Sequence, residues 1–249
     1  MRRQAYLLFM GLVFGCGEDT HERTRAEFCA DWGDAACSSQ TVSACQAADA
    51  AACQKSQTAA CLDLVPEGFS DAKGGACIAA VKAAYQDGDL RGDELAVVFN
   101  LEGPCASIIK GPGLAGDDCD SDRDCDAPEG FSCVKKGSTD DGTCQKPVVV
   151  AAGRDCSGDA KICDDGFYCN GENCIESKPS GRDCVQQAEC ANGLFCDQDG
   201  KCQAARKVSE SCESDSECQS GICLTDGEQT VCTDRVVLAR SEPICDKLR

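Results

Sequence analysis

Histidine is almost missing from this 249-residue chain: His21 is the only one. Serine and cysteine hydrolases need a positioned base, and imidazole-based metal catalysis needs several, so both classes lose their usual parts. Aromatics are scarce too, with eight Phe, three Tyr and one Trp, too few to fill an ordinary core of this size. No C-x-x-C pair occurs; the closest cysteines, Cys169 with Cys174 and Cys218 with Cys223, have four residues between them. That spacing speaks against close-paired zinc sites and against a thioredoxin-like redox motif. There is no G-x-x-x-x-G-K-[ST] phosphate loop. Positive charge is outnumbered, with 24 Lys and Arg against 43 Asp and Glu and a formal net charge of −19. Such a balance opposes binding to phosphate backbones, so no nucleic-acid partner is expected. No residue set indicates a cofactor or a metal, and the chain is expected not to be an enzyme.

What the chain has in quantity is cysteine, 25 residues of 249. A content this high points to a disulfide scaffold made in an oxidising compartment, with small units held by covalent links. Each link is worth roughly 2–4 kcal/mol.

The N-terminus reads as an export signal over residues 1–15. Met1-Arg2-Arg3-Gln4 is a basic start, and Ala5 to Phe14 is an apolar run too short to span a bilayer as a helix. The run ends at Val13-Phe14-Gly15-Cys16, which resembles a bacterial lipobox. That resemblance implies lipidation at Cys16 and a lipid bilayer as partner through the acylated cysteine. Gly17, where an inner-membrane retention signal commonly has Asp, implies the outer membrane. Parity agrees: 25 is odd, and committing Cys16 to lipid leaves an even set for disulfides. An anchor of this kind attaches a protein to the membrane without spanning it.

Residues 16–28 are polar and predict a tether. From there Cys29, Cys37, Cys45, Cys53 and Cys61 recur at a strict step of eight, with Cys77 two steps later and Cys105 beyond. In one continuous helix each step turns by about 80°. The cysteines would spiral round it, so short helices cross-linked to one another fit residues 29–110 better. Ser43 to Gln46 offers a capping box before the Ala-rich stretch to Cys53. Asp71 is expected to cap a helix whose Cys77, Ala80, Val81, Ala84 and Tyr85 form one stripe, ended by Asp87-Gly88.

Gly111-Pro112-Gly113 punctuates a boundary, and beyond it the chain repeats. Cys119, Cys125, Cys133 and Cys144 form a first unit (116–147). Cys156, Cys163, Cys169 and Cys174 form a second (153–177), and Cys184, Cys190, Cys196 and Cys202 a third (181–204). Cys212, Cys218, Cys223 and Cys232 form the fourth, which with a C-terminal tail carrying Cys245 spans 209–249. Units open on Gly116-Asp-Asp-Cys119, Gly153-Arg-Asp-Cys156 and Gly181-Arg-Asp-Cys184, with Glu210-Ser-Cys212 a weaker copy. Gly130-Phe131, Gly166-Phe167 and Gly193-Leu-Phe195 precede the third cysteine of their units and are expected to pack on a disulfide. Each unit predicts two short strands round a turn. Four cysteines allow three pairings, and first-to-third with second-to-fourth is the expectation. Cys245 is expected to return to the helical part or to be recruited by the fourth unit.

These units resemble the cysteine-rich domain at the N-terminus of Dickkopf proteins, in the form found in secreted bacterial proteins. The feature that carries the resemblance is G-x-x-C-x5-C-x5-C-x5-C, cleanest from Gly181 to Cys202. The whole order is similar to large lipoprotein families of myxobacteria. The resemblance implies location and architecture, and no activity.

The fold class expected is therefore small and disulfide-rich: an N-terminal disulfide-linked short-helix subdomain, then four β-hairpin-type four-cysteine modules. The function expected is a surface or periplasm-facing structural or protein-interaction lipoprotein with an unidentified protein or glycan partner. The alternatives are a protease-inhibitor-like module, using a loop such as Lys135-Lys136-Gly137, and a calcium-stabilised module. For calcium, Asp118-Cys-Asp120-Ser-Asp122-Arg-Asp124-Cys-Asp126 and Asp197-Gln-Asp199-Gly200 alternate acids as a calcium loop does, though the first lacks the turn glycine. Arg91-Gly92-Asp93 spells an adhesion tripeptide and reads as chance.

Overall fold

The computed structural model describes residues 22–135, 142–226 and 229–248. The signal-like segment, Cys16, His21, Lys136 and Gly137 lie outside the described residues. The fold is the small disulfide-rich one, with a helical body followed by cysteine-quartet hairpins and 12 disulfides.

The helical body begins earlier than its cysteines suggest. Helix α1 (Arg25–Ala36) starts inside the stretch expected to be tether. Thr24 caps it and accepts from the Glu27 N–H, while the Glu27 carboxylate accepts from the Thr24 N–H. This reciprocal box satisfies two otherwise unpaired donors and fixes the helix start, so Phe28 is delivered to the core. Helix α2 (Ser39–Cys45) follows, then α3 (Ala50–Leu64). Ser43 lies inside α2 and does not cap α3; Asp49 does, accepting from the Ala52 N–H at 2.7 Å. Gln46 sits in the left-handed region at φ 52° and ends α2, which is why the Ser43–Gln46 box cannot form.

Helices α1 and α3 pack closely because of Gly33. A Cβ there would stand 2.7 Å from Gln54 O and from Thr58 Oγ1. Cys29–Cys61 and Cys37–Cys53 rivet the same pair. The eight-residue cysteine step thus splits between two antiparallel helices, with Cys45 between them on α2.

Helix α4 (Gly74–Ala84) buries Cys77, Val81 and Ala84, and Tyr85 at its C-terminal cap is buried as well. Asp71 does not cap it; a 3-10 turn over Asp71–Lys73 precedes it, capped by Ser70. The Asp71 carboxylate instead takes Arg23 Nε at 2.9 Å, Arg23 Nη2 at 2.6 Å and the Arg23 N–H at 3.0 Å. Burial pushes the Asp71 carboxyl up, and the Arg23 hydrogen bonds more than offset this and hold it below the ordinary range. Strand β1 (Asp89–Leu90) and helix α5 (Gly92–Asn100) complete the body, with Cys77–Cys105 joining α4 to the turn after α5. Five of the nine described aromatics lie here, and Phe28 packs on Phe69 at 4.9 Å and on Trp32 at 6.3 Å between ring centres. One continuous core therefore forms despite their scarcity, with eight half-cystines among its buried residues.

In the array, unit one has three strands: β2 (Asp118–Cys119), β3 (Ser132–Lys135) and β4 (Gly142–Gln145), in the order β2-β4-β3. Strand β5 (Val148–Val150) pairs in parallel with β6 (Lys161–Cys163), an addition to the two-stranded pattern expected of unit two. The hairpins proper are β7 (Phe167–Cys169) with β8 (Cys174–Glu176) and β9 (Leu194–Cys196) with β10 (Cys202–Ala204). The last is β11 (Cys223–Asp226) with β12 (Gln229–Cys232). All four units join first to third and second to fourth cysteine, from Cys119–Cys133 and Cys125–Cys144 to Cys212–Cys223 and Cys218–Cys232.

The tail then returns to the start. Strand β13 (Val236–Val237) pairs antiparallel with β1, and Cys245 bonds to Cys45, 200 residues away. Leu238 and Leu248 are buried in the helical core, and Gln57 donates to the Lys247 carbonyl at 2.7 Å. The segment after Cys232 thus belongs to the helical body rather than to unit four. Unit four also meets α5 directly, since a Cβ on Gly92 would lie 2.2 Å from Ser220 O. The array is closed back on the body at both places.

Candidate interaction surface

Each hairpin unit is set by two left-handed positions. The first lies three residues before the first cysteine: Gly116, Gly153 and Gly181 have φ of +89°, +70° and +82°. Its N–H donates to the carbonyl of the fourth cysteine, as from Gly181 to Cys202 at 2.7 Å. Unit four has Ser209 there at φ +72°, making the same bond to Cys232 at 2.8 Å. The unit that opens on a weaker copy of the motif therefore keeps the geometry with a residue that dislikes it. The second position is the glycine ahead of the third cysteine, Gly130, Gly166, Gly193 and Gly221, all at positive φ. In unit one this turn delivers Phe131 against the disulfide cluster, and in unit three it delivers Leu194.

Between the first two cysteines, units one, three and four carry a 3-10 turn, over Asp122–Asp124, Gln187–Glu189 and Asp215–Glu217. The leading side chain accepts the N–H of the third cysteine: Asp122 from Cys133 at 2.7 Å, Gln187 from Cys196 at 2.9 Å, Asp215 from Cys223 at 2.7 Å. The trailing acid binds the backbone leading into the turn; Asp124 takes the N–H of Asp120 and of Ser121, at 3.0 and 2.8 Å. These backbone donors hold the Asp124 carboxyl below its ordinary range. Glu189 and Glu217 sit in the same place, and each meets a base from the preceding linker, Lys178 at 2.5 Å and Arg206 at 2.9 Å. Unit two has one more residue between its first two cysteines and forms β6 in place of the turn.

Part of each acid-rich loop has a structural use. Asp122, Asp124 and Asp126 of the first loop bind backbone N–H groups, and Asp197 takes those of Asp199 and Lys201 at 3.0 and 2.8 Å, bonds that stabilise the turns. Three sulfurs of each quartet lie within 4.8 Å of one another, but each is in a disulfide and offers no thiolate to a metal. Gly111-Pro-Gly113-Leu-Ala-Gly116 has the spacing G-x-G-x-x-G, yet it leads into β2 and not into a helix N-terminus, so the phosphate-binding context is missing. In Arg91-Gly92-Asp93 the arginine reaches Glu94 at 2.8 Å and the glycine is pressed on unit four. The tripeptide is a helix start, which fits chance.

Three depressions are relevant to binding. A cavity of about 50 Å³ inside the helical body touches Trp32, Gln57, Tyr85, Ile244 and Lys247. That is room for a water or two at roughly 30 Å³ each. The other two repeat along the array: the hairpin of one unit forms one wall and the segment between the first cysteines of the next forms the other. Phe195, Cys196 and Asp197 of unit three face Glu213 to Glu217 of unit four across about 500 Å³. Phe167, Tyr168 and Cys169 of unit two face Gln186 and Ala188 of unit three across about 370 Å³. Lys135, read as part of an inhibitor-type loop, lines this second groove. These grooves lie between units and carry no local sequence signal.

No family model matches the chain, and neither curated proteins nor solved structures include a significant match.

Proposed function

We propose that this chain is a non-catalytic, lipid-anchored extracytoplasmic protein that presents rigid disulfide modules to a protein or glycan partner. The observation that carries the reading is cysteine accounting. All 24 cysteines from Cys29 to Cys245 pair within the chain, so Cys16, at the end of the apolar N-terminal run, is the one left over. Twelve disulfides belong to an oxidising compartment, and no described helix is long and apolar enough to cross a membrane. In this reading Cys16 is acylated and anchors the chain in the outer membrane, and the four units are Dickkopf-N-terminal-like repeats. Grooves between rigid units give such a scaffold its binding surface.

The test is membrane partition of the wild type and of Cys16→Ser in a host that acylates lipoproteins. Wild type should fractionate with membranes and carry a lipid mass. C16S should carry no lipid mass and keep the unprocessed N-terminal segment, with all its disulfides formed. A C16S protein that still carries the lipid mass, or a wild type without it, would contradict the anchor.

A further inference from the structure

We propose that the groove between units two and three binds an acidic peptide segment carrying one aromatic or aliphatic side chain. This rests on, and sharpens, the reading of the chain as an interaction module. The groove holds about 370 Å³, at the lower end of the roughly 300–1,000 Å³ typical of ligand clefts. Its floor is half-buried Phe167 and Tyr168, and its rim is Ile162, 36 % exposed. Ile162 is the register partner of Val149, itself 59 % exposed, so the apolar surface continues from the groove onto β5. The Lys178 ammonium stands 5.4 Å from the centre of the Tyr168 ring, which holds that ring in place.

Charge selects the occupant. The protein carries −19 overall, and two other open depressions are rich in acids: Asp197, Asp199, Glu213 and Glu217 beside Arg206 in one, Asp117, Asp118, Asp120 and Asp124 in another. Among the described residues this groove is lined by Lys135 and Lys161 and by no carboxylate. Lys161 is tied to Asp155 beside the groove, and Lys135 stands exposed at the end of β3. The acid-rich remainder of the surface repels an acidic partner, and this basic, aromatic-floored slot is where one is accepted. An apolar side chain on the Phe167–Tyr168 floor, flanked by carboxylates reaching Lys135 and Lys161, satisfies both features.

The experiment is fluorescence-anisotropy titration of the full disulfide-bonded chain with labelled extended peptides. One probe has a central phenylalanine flanked by aspartates. Its controls replace the aspartates by lysines, or the phenylalanine by glycine. The aspartate–phenylalanine probe should bind, weaken with added salt, and exceed both controls by about tenfold or more in affinity. Lys135→Glu and Ile162→Asp should each lower its affinity by about tenfold. Val208→Asp, on an exposed linker outside the groove, should leave it unchanged. Equal binding of the lysine-flanked probe, no binding of the aspartate probe, or indifference to K135E and I162D would overturn the proposal. Chemical cross-linking in envelope preparations separates the two levels: a partner captured equally by wild type, K135E and I162D leaves the interaction reading standing and removes this groove from it.

Discussion

Cutting the Cys45–Cys245 link should do more than cutting any bond inside a hairpin unit. The bond closes a loop of 200 residues, whereas Cys184–Cys196 closes one of 12. In the chain-entropy relation these correspond to roughly 5 and 3 kcal/mol, with delivered values commonly nearer 2–4. The other disulfides shorten the effective long loop, but the dependence is logarithmic and the difference survives. The consequence is also local. Trp32, the only tryptophan, donates to Gln57 at 3.3 Å, and Gln57 donates to the Lys247 carbonyl in the tail. Ile244 and Lys247 line the small cavity beside the same indole. A Cys45→Ala/Cys245→Ala variant should therefore denature at lower guanidinium and expose Trp32 to acrylamide quenching before the global transition. It should also lose amide protection at Val237 and Leu238 while the hairpin units keep theirs. Cys184→Ala/Cys196→Ala should lower stability less and leave native Trp32 quenching as in wild type. If the long-range variant kept the wild-type midpoint and quenching, the tail would not be a structural clasp.

Other outcomes follow from single contacts. Ser209→Gly relieves a left-handed serine at a position where three sister units use glycine, and should raise stability by about 1 kcal/mol in a denaturant melt. Gly33→Ala forces a Cβ against Gln54 O and Thr58 Oγ1, and should cost about 1–3 kcal/mol, seen as a lowered Tm. Asp71 is held below the ordinary carboxylate range by Arg23 in the folded state, so its contribution is present above that range and lost as pH falls through its folded value. Asp71→Asn should lower stability at neutral pH by roughly 1.5–3 kcal/mol and flatten the acid side of the stability–pH curve. Asp215→Ala removes the acceptor of the Cys223 N–H and should loosen unit four alone, by roughly 1–3 kcal/mol, with exchange faster at Cys223 and unchanged in unit three.

The array was legible because disulfide spacing is a covalent signal that survives in sequence. The recurring Gly-x-x-Cys and Gly-Phe runs mark left-handed positions that few other residues tolerate, and Ser209 shows what a weak copy means: the same φ, less comfortably held. The split of the eight-residue cysteine step over separate helices followed from helix geometry alone. Helix starts were less legible. Thr24-x-x-Glu27 was a capping box hidden in a polar stretch, and Asp71 looked like a cap but served a distant arginine. A side chain 48 residues away decided its role, and no local pattern contains that. The return of Cys245 was visible only as a parity problem, since its partner Cys45 is set by where the array ends in space. The grooves were invisible for the same reason: each has walls from two successive units.

In the proposed reading every cysteine but Cys16 is locked into this connectivity and Cys16 carries the lipid. Intact-mass spectrometry of the membrane-extracted chain, before and after reduction and alkylation, followed by mapping of the disulfide-linked peptides, tests it directly. The expected result is a chain beginning at acylated Cys16, no alkylation before reduction, 24 alkylated thiols after it, and a Cys45–Cys245 peptide pair. Free thiols in the native protein, or an unmodified Cys16 in the mature chain, would contradict it.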